Sequence, residues 1–269
     1  RGPDMTNEKY MNMIRNNPYV IDRIENPSEE MQLLAVQMNG LALQYIKHPS
    51  EAVQKAAVAN TARAIQFIDH PSEDMLLQAV QSGWNNLSYI KNPSPELIDA
   101  ALKQSGWAIK YVKDPDEDLQ LRAVEKNYDA IKYIQHPTPA VQLAAIRGNY
   151  EALRYIEKPT EEAKELAISE NEQAIRLIPD ISKEEFLHFL SRNVLVSKYM
   201  PKGISLTPDD WRNTFKAVLS RDDVPEDYVR NFITCSAVDL TPADKVLLVD
   251  DCGSKKARRI TVDEKLTLK

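Results

Sequence analysis

The sequence reads as an all-α solenoid of about nine two-helix repeats, closed by a helical C-terminal cap. Prolines stand at Pro27, Pro49, Pro71, Pro93, Pro115, Pro137 and Pro159, each 22 residues after the last. In step with them runs a small apolar column: Ala35, Ala57, Ala79, Ala101, Ala123, Ala145 and Ala167. A third column, Ser28, Ser50, Ser72, Ser94, Asp116, Thr138, Thr160 and Ser182, holds side chains that accept from the free N–H groups of a starting helix. Self-similarity at such a period marks stacked supersecondary units that cannot bury their apolar faces alone.

Each repeat divides into two short helices. The first follows the cap column, with Pro95 or Pro139 at its opening position in two repeats. Elsewhere acids such as Glu29, Glu30, Glu73 and Asp74 suit the positive end of the helix. The break falls at Asn39, Thr61, Gly83, Ser105, Asn127, Asn149, Asn171 and Asn193, residues that end one helix or cap the next. The second helix is barely two turns long and ends before the next proline. Helices shorter than ~12 residues are marginal in water, so each must pack on its neighbours and the core runs along the stack. The apolar columns that fill it include Val36, Val58, Val80, Leu102, Val124, Ile146, Ile168 and Leu190, and Ile24, Ile46, Ile68, Ile90, Val112, Ile134, Ile156, Ile178 and Met200.

The register extends past both ends of the proline series. Met13, Ile14, Asn17 and Ile24 fit before it, and Ser182, Asn193, Tyr199 and Met200 fit after it, although Glu185 and Ser197 replace apolar residues. This gives a repeat region over residues 6–202 with degenerate outer repeats. Beyond residue 203 the period is lost. Thr207-Pro208-Asp209-Asp210 and Thr241-Pro242-Ala243-Asp244 start helices, and residues 224–232 form a third, so residues 203–254 are expected to be a helical cap. Residues 255–269 hold Lys255, Lys256, Arg258 and Arg259, then Ile260-Thr261-Val262 and Leu266-Thr267-Leu268; they are expected to be a basic tail or a short hairpin.

Phrases such as Asn92-Pro93-Ser94 and His48-Pro49-Ser50-Glu51, with the Ala-Ile-Lys-Tyr-Ile ending from Ala130 to Ile134, resemble short HEAT-like α-helical repeats. Such repeats occur in proteins of bacteriophages, large viruses and bacteria. The resemblance covers about three quarters of the chain, implies binding in general terms and brings no catalytic residues with it.

Composition narrows the function classes. The net charge of -6 argues against a general nucleic-acid binder. Two cysteines, Cys235 and Cys252, are too few for a disulfide framework and point to a reducing compartment. No apolar run approaches the ~20 residues of a membrane span, so the expectation is a cytoplasmic protein without membrane contact, in the host cytoplasm if phage-encoded. Arg1-Gly2-Pro3-Asp4, before Met5, reads as a cloning remnant.

No nucleophile elbow, phosphate loop or zinc spacing occurs, so no catalytic residue, metal ligand or cofactor is expected. His48, His70 and His136 share the column before proline with Asn26, Asn92 and Asp114, which suggests local hydrogen bonding at a bend. The candidate binding residues are a cationic column, Lys110, Lys132, Arg154, Arg176 and Lys198, in a position held earlier by Gln44, Gln66 and Ser88. Beside it runs Tyr45, Phe67, Tyr89, Tyr111, Tyr133, Tyr155 and Tyr199, better read as packing between repeats because Phe67 and Leu177 share the column. Trp84, Trp107, Tyr128 and Tyr150 open the second helices irregularly, and irregular residues on a regular scaffold are where ligand specificity tends to reside. The expectation is a non-enzymatic protein that holds a partner protein, for instance a phage inhibitor or adaptor of a host protein, with an acidic surface facing the cations. Nucleic-acid binding through the cationic column and the Lys255 to Arg259 cluster is the second reading. A solenoid that encloses a small ligand, or a HEAT-like DNA glycosylase, is the third.

Overall fold

A computed structural model describes residues 3–267 and divides the chain into two compact units, residues 1–135 and 136–269. Among the described residues every regular element is a helix, and the fold is an all-α solenoid of nine helix pairs followed by four further helices.

In the first unit six α-helices, α1 (Pro3–Asn16), α2 (Glu29–Met38), α3 (Glu51–Asn60), α4 (Glu73–Ser82), α5 (Pro95–Gln104) and α6 (Glu117–Lys126), alternate with six short helices. The short ones are Pro18–Arg23, Gly40–Tyr45, Ala62–Phe67, Trp84–Tyr89, Gly106–Tyr111 and Tyr128–Tyr133. All are 3-10 helices, a refinement of the two-turn helices read from the sequence, since six residues at three per turn make two turns. Successive α-helices stack on one another, and so do successive 3-10 helices, giving an α layer and a 3-10 layer with the core between them.

The cap residues do the work expected of them. Ser28, Ser50, Ser72, Ser94, Asp116, Thr138, Thr160 and Ser182 each accept a hydrogen bond from the backbone N–H three residues on. Asn39, Ser105, Asn149, Asn171 and Asn193 cap the 3-10 helices in the same way, two residues on. The alanine column is fully buried where the helices stack.

The links between repeats use two backbone forms. Asn26, Asn92, Asp114 and Asp180 lie in the left-handed region, with φ of 48°, 48°, 50° and 54°. Asn and Asp tolerate that region best among residues with a side chain. The histidines of this column, His48, His70 and His136, are exposed and absent from that conformation, so the column is not uniform.

The second unit contains α7 (Pro139–Gly148), α8 (Glu161–Glu170) and α9 (Lys183–Arg192), with 3-10 helices Tyr150–Tyr155, Glu172–Leu177 and Val194–Tyr199. The two register breaks are accommodated locally. Glu185 takes a hydrogen bond from Lys164 at 3.1 Å, and the buried Ser197 donates to the Val194 carbonyl at 2.7 Å. Four helices close this unit: α10 (Pro208–Leu219), α11 (Glu226–Thr234), α12 (Pro242–Cys252) and α13 (Lys255–Thr267). Thr207 and Thr241 cap α10 and α12. The buried Tyr228 hydroxyl ties α11 to the repeats by donating to the Leu190 carbonyl at 2.8 Å.

The expectation of a tail or hairpin after residue 255 is overturned: α13 is helical to Thr267, and Leu268 lies outside the described residues. Ala257, Ile260 and Thr261 are buried, so packing outweighs the strand preference of the Ile-Thr-Val run. The helix also begins at a cap, with the Ser254 hydroxyl accepting from the Ala257 N–H at 3.1 Å. At the other end Pro3 and Asp4 belong to α1, while Arg1 and Gly2 lie outside the described residues.

Candidate binding face

In a 3-10 helix residues three apart eclipse one another. In Gly106–Tyr111 this places Trp107 and Lys110 on the outer edge, while Gly106, Ala108 and Ile109 are buried. The same geometry pairs Asp129 with Lys132 and Glu151 with Arg154. All five cations of the column, Lys110, Lys132, Arg154, Arg176 and Lys198, are exposed.

In the first unit these rows meet. The Lys110 ammonium sits 5.9 Å from the Trp84 ring, 5.0 Å from Tyr111 and 5.4 Å from Tyr133, so rings of three successive repeats surround it. Lys132 sits 4.7 Å from Trp107 and 5.2 Å from Tyr133. Trp84 and Tyr111 are themselves neighbours, with ring centroids 6.3 Å apart. The Trp107 indole N–H donates to Asp129 at 2.7 Å, which fixes that ring to the next repeat. Each cation over a ring at an exposed site is worth ~0.5–1 kcal/mol, so several together hold a preorganised surface.

Why Trp107 lies one position later than Trp84 follows from packing. At Gly106, the position equivalent to Trp84, an added Cβ would collide with the Ala123 carbonyl. The Gly106 N–H instead donates to Asn127 at 2.7 Å, and the large side chain appears at the next residue. Gly40 is held the same way, its N–H donating to Asn60 at 2.8 Å, with Leu41 following.

The second unit repeats the ring contact once and adds an ion pair. Arg154 faces Glu151 at 4.0 Å, and Arg176 lies 4.4 Å over the Tyr199 ring. Tyr128 in the first unit and Tyr150 in the second are half-buried at the first position of their helices. The structure therefore brings Trp84 and Trp107 together with Lys110 and Lys132. The tyrosine column, read from sequence as packing, is only half-buried, and Tyr45, Tyr89 and Tyr155 are 37%, 40% and 39% exposed. Tyr111, Tyr133 and Asp129 are the members of the face that sequence reasoning did not select. The signal for Asp129 lies in its position 22 residues after Trp107.

Elsewhere several charged groups hold helices together. Burial alone would push Lys164 down, but hydrogen bonds to Glu185 and Glu161 overcome it and hold the ammonium above its ordinary value. Hydrogen bonding to Arg122 holds Asp99 below the usual carboxylate range, and Lys183 does the same for Asp210. His188 and Arg192 both contact Glu165. Lys245 is 3% exposed and donates to the Cys235 carbonyl at 2.8 Å, capping the end of α11; burial lowers its pKa. Cys235 and Cys252 are free thiols. Among the described residues no three His, Cys, Asp or Glu side chains gather to hold a metal ion, and no helix is long and apolar enough to cross a membrane.

No family model matches the chain, and comparison with curated proteins and with solved structures gives no match.

Proposed function

We propose that this helical repeat protein is a non-enzymatic scaffold that holds a partner protein on its 3-10 layer, with Trp84, Trp107, Lys110 and Lys132 at the centre of the contact. One observation supports the reading above the others: two tryptophans and two lysines from successive repeats are gathered on an exposed edge and braced by ring contacts and by Asp129. Tryptophan is enriched among the residues that dominate interface energies, and a braced side chain loses little freedom on binding. A phage-encoded inhibitor or adaptor acting in a host cytoplasm is one form of this function; it rests on the resemblance to short HEAT-like repeats.

The test is affinity capture from bacterial lysate with the wild-type chain and a Trp84→Ala/Trp107→Ala variant. A stoichiometric partner held by the wild type and lost by the variant is the expected result. Equal retention by both, or no stoichiometric partner, contradicts the proposal. A second reading, nucleic-acid binding, is favoured by one feature, the exposed Lys255, Arg258 and Arg259 at the start of α13. It predicts oligonucleotide binding that weakens steeply with salt and is lost when these three are neutralised.

A further inference from the structure

We infer that the partner presents an acidic segment, two carboxylates of which reach Lys110 and Lys132; this rests on the partner-binding reading above. The two ammonium groups lie against one ring, Tyr133, at 5.4 and 5.2 Å, so a single short segment can reach both. An extended chain rises ~3.3 Å per residue, and acids two or three residues apart match neighbouring repeats. The cationic column begins here, because the preceding repeats carry Gln44, Gln66 and Ser88 in the same position, and the Asp129 carboxylate beside it is engaged by the Trp107 indole. Lys91 and Lys113, exposed just beyond the Trp84–Tyr89 and Gly106–Tyr111 helices, add to it.

The ring contacts favour a carboxylate partner over a nucleic acid. Single-stranded nucleic acid gains much of its affinity by stacking bases on free aromatic faces. Here Lys110 and Lys132 already lie against Trp84, Trp107, Tyr111 and Tyr133, so a base stacking on those faces would first have to displace them. Both lysine side chains are exposed to an incoming anion. The exposed acids that open the α-helices, such as Glu29, Glu30, Glu73, Asp74, Glu117 and Asp118, would repel a long polyanion, whereas a short acidic segment can avoid them.

Fluorescence anisotropy with the full chain and two labelled peptides of about 12 residues tests this, one with Glu at every third position and the other with Gln there. The Glu peptide is expected to bind and the Gln peptide to fail. Lys110→Glu/Lys132→Glu should weaken the Glu peptide about tenfold or more, while Lys9→Glu/Lys55→Glu, on the α layer, should change it less than about twofold. Circular dichroism melts of both variants establish that they fold. Absence of Glu-peptide binding, equal loss in both variants, or tighter binding of a single-stranded oligonucleotide of matching length overturns the inference. A captured protein partner that needs Trp84 and Trp107 but tolerates Lys110→Glu/Lys132→Glu would overturn the acidic segment and leave partner binding standing.

Discussion

The indole N–H of Trp107 donates to the Asp129 carboxylate, 22 residues further along, at 2.7 Å. The bond ties two repeats at the surface and sets the ring on which Lys132 rests. Asp129→Ala leaves the half-buried indole N–H without its protein partner and is expected to cost about 1 kcal/mol in denaturant unfolding. Asp129→Asn, which keeps an acceptor, should recover most of that loss. If the two substitutions behave alike, the bond does not brace the face.

A Cβ at Gly106 meets the backbone carbonyl of Ala123, which cannot move without shifting a helix, whereas a Cβ at Gly83 meets the side-chain amide oxygen of the exposed Asn85 at 2.9 Å. Gly106→Ala should therefore destabilise by about 1–3 kcal/mol, and Gly83→Ala by clearly less. Equal chemical unfolding midpoints for the two variants would contradict the close approach at Gly106.

The alanine column sets the spacing of the α layer. Ala101 is fully buried, so Ala101→Leu overpacks the seam and should cost about 1–3 kcal/mol. Ala59, exposed at the end of α3, is the control, and Ala59→Leu should stay within about 0.5 kcal/mol of the wild type. Thermal melts that do not separate these variants would show that the column is not a contact seam.

Stability should fall at both ends of the pH range. Asp210 and Asp99 have folded pKa values below their unfolded ones, so their contribution is present above about pH 4 and is lost as the pH falls through the folded value. Glu170, raised by burial, has the opposite sign and softens this acid limb. Lys164 has a folded pKa above its unfolded one; its contribution is complete below about pH 10 and is lost as the pH rises through the folded value. Melting temperature followed against pH should show Asp210→Asn flattening the acid limb and Lys164→Met the alkaline limb. Unchanged limbs would assign the pH dependence to other groups.

Much of the scaffold was legible because each of its devices is local. A proline every 22 residues, a Ser, Thr or Asp beside it and an alanine seven residues on locate the first helix of a repeat without knowledge of distant contacts. What escaped depends on packing. Six residues between a capping Asn and the next Ile fit an α or a 3-10 helix equally well, and stacking on neighbouring repeats decides between them. Residues 255–267 carry β-branched neighbours that suggest a strand, yet Ala257, Ile260 and Thr261 find a helical seat in the cap. Within the face, the lysine column and both tryptophans stood out. The seating of Lys110 and Lys132 on rings of neighbouring repeats, and the role of Asp129, require the distance between repeats and so lay beyond sequence reasoning.

The 3-10 layer around Trp84, Trp107, Lys110 and Lys132 is the proposed working surface. Hydrogen–deuterium exchange of the full chain, alone and bound to the partner recovered by capture, puts this to the test. Slowed exchange is predicted over Trp84–Tyr89, Gly106–Tyr111 and Tyr128–Tyr133, with the exposed starts of α4, α5 and α6 unchanged. Protection confined to the α layer or to α10 to α13 would show that the partner binds elsewhere.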